Sequence, residues 1–97
     1  MFRHVVMFRL SDDAAPGAID AIRTGLDALP PKIPEIESYV HGPNVGAAPT
    51  NFDYVVVADF ASAEAFAAYR DHPDHQQLIA EQIVPNVSDR AAVQYET

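Results

Sequence analysis

Residues 52–78 read FDYVVVADFASAEAFAAYRDHPDHQQL and contain the signals that decide the fold. The run Asp53–Phe60 predicts a strand, because it is rich in valine and aromatic residues and its side chains alternate between two apolar faces. Ser62 is a good N-cap residue and predicts a helix that continues to about Arg70. A strand followed directly by a helix favours a fold that mixes the two.

The end of this segment predicts a second helix after a break. His72 precedes a proline, and a residue in that position avoids helical backbone angles, so the first helix ends there. Asp74 is the expected N-cap of the next helix, since Gln77 follows at the spacing of a capping box. Leu78, Ile79 and Ile83 give this helix an apolar side, and Pro85 ends it.

Working outward to the N-terminus, Phe2–Leu10 predicts another strand. Its even-numbered face is apolar except for His4. The stretch SDDAAPGAID, residues 11–20, then predicts the start of a helix, with Asp13 as N-cap and Pro16 in the first turn. The next apolar residues recur at helical spacing, before a Pro-Pro pair ends the helix: Ile19, Ile22, Leu26 and Leu29.

The remaining segments complete the order of elements. Ile36–Gly42 predicts a short strand, residues 42–51 (GPNVGAAPTN) a loop, and Arg90–Tyr95 the last strand. The order β-α-β-β-α-α-β is that of a ferredoxin-like α+β fold. In this fold a four-stranded antiparallel sheet carries its helices on one face.

The two clear strands predict a partner for the sheet. Both of their faces are apolar at the centre, yet helices can cover only one of them. An uncovered apolar sheet face is most simply covered by a second copy of the chain. We therefore expect a homodimer that packs sheet against sheet and buries Val5, Met7, Val55 and Val57.

Composition narrows the classes of function. The 97 residues predict a single domain spanning residues 1–97, and there is no cysteine for disulfide or thiolate chemistry. A net charge of −8 disfavours nucleic acid and anionic membranes as partners. Charged residues interrupt the N-terminal MFRHVVMFRL, so it predicts neither a signal peptide nor a membrane span, and a cytoplasmic location is expected.

The histidines admit three interpretations. His72 and His75 have a metal-like spacing, but they straddle a helix break and lack the glutamate of a helical zinc motif. His75 in the first turn of a helix is disfavoured as a cation, and a neutral imidazole suits a general base. Alternatively, His75 only starts a helix, His4 is a hydrogen-bonded core residue and His72 bonds the local backbone. His41, at a strand end, is expected to be exposed.

Three segments resemble the Dabb family, the stress-responsive α/β-barrel domain. They are RHVVMFRL with its strand histidine, LPPKIPEIESYVHG, and residues 52–78 with the pattern Tyr-x-x-His-Pro-x-His. The resemblance covers essentially the whole chain and implies a dimeric α+β barrel. Many members have no assigned activity, and a plant subgroup cyclises linear polyketides without metal or organic cofactor.

The resemblance also implies a site. The three residues around the substrate in the plant cyclases match His4, Tyr69 and His75 here. His75 would be the base, Tyr69 would orient it or donate a proton, and His4 would be a second polar contact. The implied pocket lining and substrate-contacting residues are Val6, Phe8, Ile22, Leu26, Tyr54, Val56 and His72.

The chain departs from the cyclases in ways that favour a smaller ligand. The first helix has no aromatic residue around Ile22 and Leu26, and Tyr54 stands where a cyclase has a third pocket histidine. The sequence therefore predicts a Dabb homodimer of unassigned activity with a pocket for a small phenolic or enol-like molecule. A cofactor-free polyketide cyclase or isomerase and a non-catalytic stress or interaction protein are the alternatives, and dimeric monooxygenases share the architecture.

Overall fold

Four strands form one antiparallel sheet in the computed structural model, which describes residues 1–97. The strand order is β2-β3-β1-β4, so the first strand lies inside the sheet and the last strand forms an edge. The ferredoxin-like prediction is confirmed. The elements are β1 Phe2–Leu10, α1 Ala18–Asp27, β2 Ser38–Pro43, β3 Tyr54–Phe60, α2 Ala63–Asp71, α3 Pro73–Leu78, a π turn Ile79–Ile83 and β4 Val87–Glu96.

The helices pack on one face of the sheet, over β1, β2 and β3. The predicted alternation of side chains is confirmed, because the even-numbered residues of β1 and β3 point toward the helices and are buried, except for the half-buried Phe2 and Leu10 at the ends of β1. They meet the buried side of α1. The most completely buried side chains of this core are Tyr54, Phe60, Ile22, Ile33 and Val56.

The first helix begins later than the sequence predicts. Its N-cap is Gly17, with φ of 78°, so the prediction of Asp13 as cap and Pro16 in the first turn is wrong. The cause is the buried Asn86, which holds the preceding segment out of the helix. Its side-chain oxygen accepts a hydrogen bond from the Ala15 N–H at 3.0 Å, and its carbonyl accepts one from the Ser11 N–H at 2.8 Å. Glycine then supplies the left-handed angle from which the helix can start.

The break between α2 and α3 is confirmed, but its cap is a different residue. Ser62 Oγ accepts from the Ala65 N–H at 3.1 Å, as expected of an N-cap, and α2 ends at Asp71. His72 is extended, with ψ of 135°, and its Nδ1 accepts from the Asp74 N–H at 3.1 Å. The prediction of Asp74 as the cap is therefore wrong. Proline is favoured at the first helical position, so the helix starts at Pro73, two residues earlier than a cap at Asp74 would place it.

The third helix does not continue to Pro85 as one α-helix. After Leu78 it widens into a π turn, in which the Val84 N–H reaches the Ile79 carbonyl at 2.8 Å. The last strand then begins at Val87 rather than at Arg90. No helix of the structure is both long enough and apolar enough to cross a bilayer.

The sheet face away from the helices carries an apolar band, which we call the open face. Two rows of paired residues cross all four strands on this face. They consist of odd-numbered residues of β1, β3 and β4 and even-numbered residues of β2. The rows are Val40–Val57–Val5–Val93 and Gly42–Val55–Met7–Ala91. Val40 is 64% exposed and Val93 57% exposed, so nothing in the single chain covers the ends of this band. Beside it, Arg3 and Asp59 form a two-pronged ion pair at 2.7 and 2.9 Å.

Candidate functional site

A cavity of about 540 Å³ lies between the helices and the inner side of β1 and β4. It exists because the helices pack on β1, β2 and β3, while inward-facing Ala92 and Gln94 of β4 stay exposed. The π turn contributes to its wall. Its apolar lining is formed by Val6, Phe8, Leu26, Val56, Phe66, Ile79, Ile83 and Ala92. Its polar lining is formed by His4, Tyr69, Arg70, His75, Arg90 and Gln94.

The structure brings the three predicted catalytic residues together around this cavity. His4 comes from β1, Tyr69 from the last turn of α2 and His75 from the first turn of α3. The short His-Pro break between α2 and α3 turns Tyr69 and His75 toward each other. Their ring centroids are 4.2 Å apart.

The predicted pocket walls are only partly the observed ones. Four of them line the cavity: Val6, Phe8, Leu26 and Val56. Ile22 is fully buried in the core and lies outside the lining. Tyr54 is also a core residue, with its hydroxyl directed to His41. The ring of His72 caps α3, as the alternative interpretation of this residue predicted.

His75 has the proton arrangement of a base. Its Nδ1 lies 2.9 Å from the Arg70 carbonyl oxygen, which can only accept, so Nδ1 carries the proton. In the neutral ring Nε2 then holds a free lone pair. Burial lowers the pKa of His75, and the charges of His72 and Arg90 add to this against the opposing Arg70 carbonyl. The imidazole is therefore neutral at pH 7.

His4 has the opposite proton arrangement. Its Nδ1 lies 2.7 Å from the side-chain nitrogen of Gln94, which donates, so the neutral ring carries its proton on Nε2. Burial, with smaller contributions from Arg90 and His75, lowers the pKa of His4 to about 4. The Nε2 atoms of His4 and His75 make no hydrogen bond within the chain. Every fully buried side-chain nitrogen or oxygen does have a partner, so these two Nε2 atoms are not fully buried and are open to the cavity.

Tyr69 has a hydroxyl partner that sequence reasoning missed. Its hydroxyl oxygen lies 2.7 Å from that of Tyr39 on β2. Burial raises the pKa of Tyr69 to about 12 and raises that of Tyr39 further, so both phenols are protonated at pH 7. Tyr69 therefore contacts His75 through its ring, at an interplanar angle of 34°, while its hydroxyl is engaged elsewhere. The alternation of β2 was a usable signal, because Tyr39 pairs with inward-facing Ala58.

The side chain of His41 is buried, so the prediction that it is exposed is wrong. Its side chain is 6% exposed, because it pairs with Val56 on the inner face of the sheet. Its Nδ1 lies 2.6 Å from the hydroxyl oxygen of Tyr54, and its Nε2 lies 2.8 Å from an oxygen of Asp27 at the end of α1. The buried Tyr54 hydroxyl thus has His41 as its partner, and this histidine ties α1 to β2 and β3.

Three further polar residues of the cavity were missed: Arg70 in α2, and Arg90 and Gln94 in β4. Arg90 and Gln94 pair with Phe8 and His4 and lie on the even-numbered face of β4, which faces inward. No group of three or more histidine, aspartate or glutamate side chains is arranged to hold a metal ion.

The whole architecture matches a known protein family. The family model described as the stress-responsive A/B barrel domain, Dabb, matches residues 2–97. The chain belongs to the Dabb family. The resemblance noted in the sequence is thereby confirmed, and the histidine-lined cavity lies in a Dabb fold.

Relatives of this Dabb chain are described mostly by fold. A stress-response A/B barrel domain-containing protein of Arabidopsis thaliana is 28% identical over 102 residues that cover 98% of this chain and 36% of the relative. The chain thus spans about a third of that protein. A Thermobifida fusca structure is 41% identical with a TM-score of 0.89, covering 99% of this chain and 90% of that one. A Bacteroides fragilis structure is 26% identical with a TM-score of 0.80, covering 99% and 95%. Both structures are described as dimeric, ferredoxin-like and of unknown function.

Proposed function

We propose that this Dabb protein binds a small phenolic or enol-like molecule in the cavity beside His4, Tyr69 and His75. The observation that carries the proposal is the convergence of these three side chains on one space with apolar walls. Its volume of about 540 Å³ is within the range of small-molecule sites. Apolar walls suit a ring or a short acyl chain, and the free histidine nitrogens suit a hydroxyl or an enol.

A second candidate function is cofactor-free acid–base catalysis, as in a cyclase or isomerase. The opposed proton positions of the two histidines favour it. The lone pair on Nε2 of His75 can remove a proton from a carbon between two carbonyls, and the Nε2–H of His4 can hold the enolate oxygen that forms. The close ring contact with Tyr69 restricts the orientation of the His75 ring, which makes Tyr69 a positioning residue in this proposal.

The proposal includes a homodimer formed through the open face, with Val5, Met7, Val55 and Val57 at its centre. The two solved relatives are dimeric, and the apolar band crosses all four strands without cover in the single chain. Arg3 and Asp59, beside the band, form an ion pair within one protomer. Burying them in a dimer interface would therefore leave neither charge without a partner. In a non-catalytic stress or interaction protein, this dimer would itself be the functional unit and the cavity would have no role.

Exchange of a carbon-bound proton separates binding from catalysis. A β-keto ester is incubated with the protein in deuterated buffer, and loss of its α-proton is followed by NMR. We expect the wild type to accelerate exchange over buffer and His75→Gln to lower the acceleration by about 100-fold, because glutamine keeps the bond to the Arg70 carbonyl but cannot take the proton. Tyr69→Phe should retain most of the acceleration, since the ring that contacts His75 remains.

The matched control is Tyr95→Phe, which removes a tyrosine hydroxyl from the other face of β4 and should change neither binding nor exchange. If alanine at His4, Tyr69 and His75 leaves both ligand binding and exchange as in the wild type while the protein stays folded, the binding and catalytic proposals are both wrong. If binding depends on these residues but exchange is not accelerated, the binding proposal stands and the catalytic proposal is wrong.

A further inference from the structure

The charge of the cavity lining is opposite to that of the whole chain. The chain has six lysines and arginines against 14 aspartates and glutamates. The lining nevertheless contains two arginines, Arg70 and Arg90, and no carboxylate. Its other polar members are neutral at pH 7. A molecule that enters this space therefore meets positive charge inside a protein that is negative overall.

The two arginines differ in their existing partners. Arg70 holds the carboxylate of its neighbour Asp71 with two hydrogen bonds, at 2.9 and 3.0 Å. Arg90 makes no side-chain hydrogen bond and no ion pair within the chain. Its five N–H donors are therefore available. Arg90 is thus the one free cation of the lining.

Arg90 lies close to the two histidines of the cavity. It pairs with Phe8 across the sheet and lies on the same inner face of β4 as Gln94, the partner of His4. Its positive charge contributes to the lowered pKa of both His4 and His75, which places the guanidinium within electrostatic reach of both rings. A ligand that touches the histidines can therefore extend to Arg90.

We propose that the ligand of this cavity carries a carboxylate, which Arg90 binds through its guanidinium while the enol or phenol end lies at His4 and His75. The substrate class is then a small hydroxyaryl or β-keto carboxylate. A guanidinium matches the two oxygens of a carboxylate, and such charge-assisted pairs are about twice as strong as neutral hydrogen bonds. This inference rests on the proposed function, because it names the ligand class of the same site.

A matched pair of probes tests it. Para-hydroxybenzoate and its methyl ester share the ring and the hydroxyl and differ in the carboxylate charge. Binding is measured by NMR from the ring signals of His4 and His75. We expect the wild type to bind the acid at least about 10-fold more tightly than the ester, and Arg90→Gln to remove that preference. Arg90→Lys should retain only part of it, because an ammonium lacks the planar fork. Lys32→Gln, which removes the same charge from outside the cavity, should bind as the wild type does.

The outcomes are distinguishable. If the wild type binds acid and ester equally, or Arg90→Gln keeps the preference, the inference is overturned and the proposed binding site stands. If neither probe moves the His4 or His75 signals at any concentration, the cavity does not receive this class of molecule. That result would overturn both the inference and the proposed function.

Discussion

At the scale of single residues, the chemistry of each histidine is decided by its hydrogen-bond partner. His4 accepts from an amide nitrogen and so presents a donor to the cavity, whereas His75 donates to a carbonyl and presents an acceptor. His72 uses its ring to cap a helix. Residue type alone does not distinguish these roles. The partners of two of them, Gln94 and the Arg70 carbonyl, become neighbours only in the folded chain.

Burial of His4 makes stability depend on pH. The folded pKa is about 4 and the ordinary value is 6.5, so between these values the unfolded chain binds more protons. The free energy of unfolding therefore rises with pH through this window; the contribution of His4 is complete above pH 6.5 and is lost as the pH falls toward 4. We expect His4→Gln to weaken this dependence, as measured by urea unfolding at pH 4.5 and 7.5 at one protein concentration.

Carboxylates also titrate in this window, so the comparison with the variant isolates the histidine. Asp59 is a useful internal reference, because Arg3 lowers its pKa by hydrogen bonding and Asp59→Asn should alter a more acidic part of the curve. Parallel curves for wild type and His4→Gln between pH 4.5 and 7.5 would contradict the assignment.

At the scale of elements, α1 crosses α3 so closely that Gly25 faces the side chain of Leu78. A Cβ atom added to Gly25 would run into the side chain of Leu78, which is buried. Glycine weakens a helix interior by about 1 kcal/mol relative to alanine, so its presence there has a packing reason. The sequence shows that Gly25 is a weak position in the helix, but it does not show that Leu78 packs against it.

Gly25→Ala tests this crossing. The substitution improves helix propensity but forces Leu78 out of its place, and overpacking of this kind costs about 1–3 kcal/mol. We expect a net loss of stability of about 1 kcal/mol in chemical denaturation, because the packing cost exceeds the gain in propensity. Thr24→Ala, the exposed neighbour on the same helix, is the control and should be neutral or slightly stabilising. A Gly25→Ala protein as stable as the control would show that the helices separate without cost.

Sequence pattern was sufficient for elements whose cause is local. The alternation in β1 and β3, the Ser62 cap and the break before Pro73 all depend on neighbours in the chain, and the structure has them. The predicted start of α1 was wrong because Asn86, which is distant in the sequence, holds residues 11–15 in a turn. The buried state of His41 likewise depends on Tyr54 and Asp27, which a single strand pattern does not reveal.

At the scale of the whole molecule, the sheet is a layer with one side still uncovered. The helices cover the inner side, and the band centred on Val5 and Val57 remains open. An apolar face of this extent is uncommon on a protein that works as a monomer. The proposed dimer would bury it and leave the cavities of the two protomers on opposite outer sides.

A charge placed in the band tests the dimer. We expect Val5→Glu to convert a wild-type dimer into a monomer at micromolar concentration, because a carboxylate at the centre would be buried without a partner. Sedimentation velocity measures the mass, and circular dichroism checks that the chain is folded. Val40→Glu repeats the test on the edge strand, and Ala68→Glu on the helix side is the control that should stay dimeric. A wild type that is monomeric at this concentration would contradict the proposal.

The π turn Ile79–Ile83 has a consequence for how such a cavity changes over generations. Two of its residues stand in the cavity wall, and it precedes a strand whose place in the sheet is set independently. Loss of one residue there, such as Ala80, would return the segment to α-helical bonding and place its two cavity-lining isoleucines three residues apart instead of four. The same two isoleucines would then close the space at a different spacing, with β1 and both histidines untouched. Small insertions and deletions at this point are thus a short genetic route to a new ligand size.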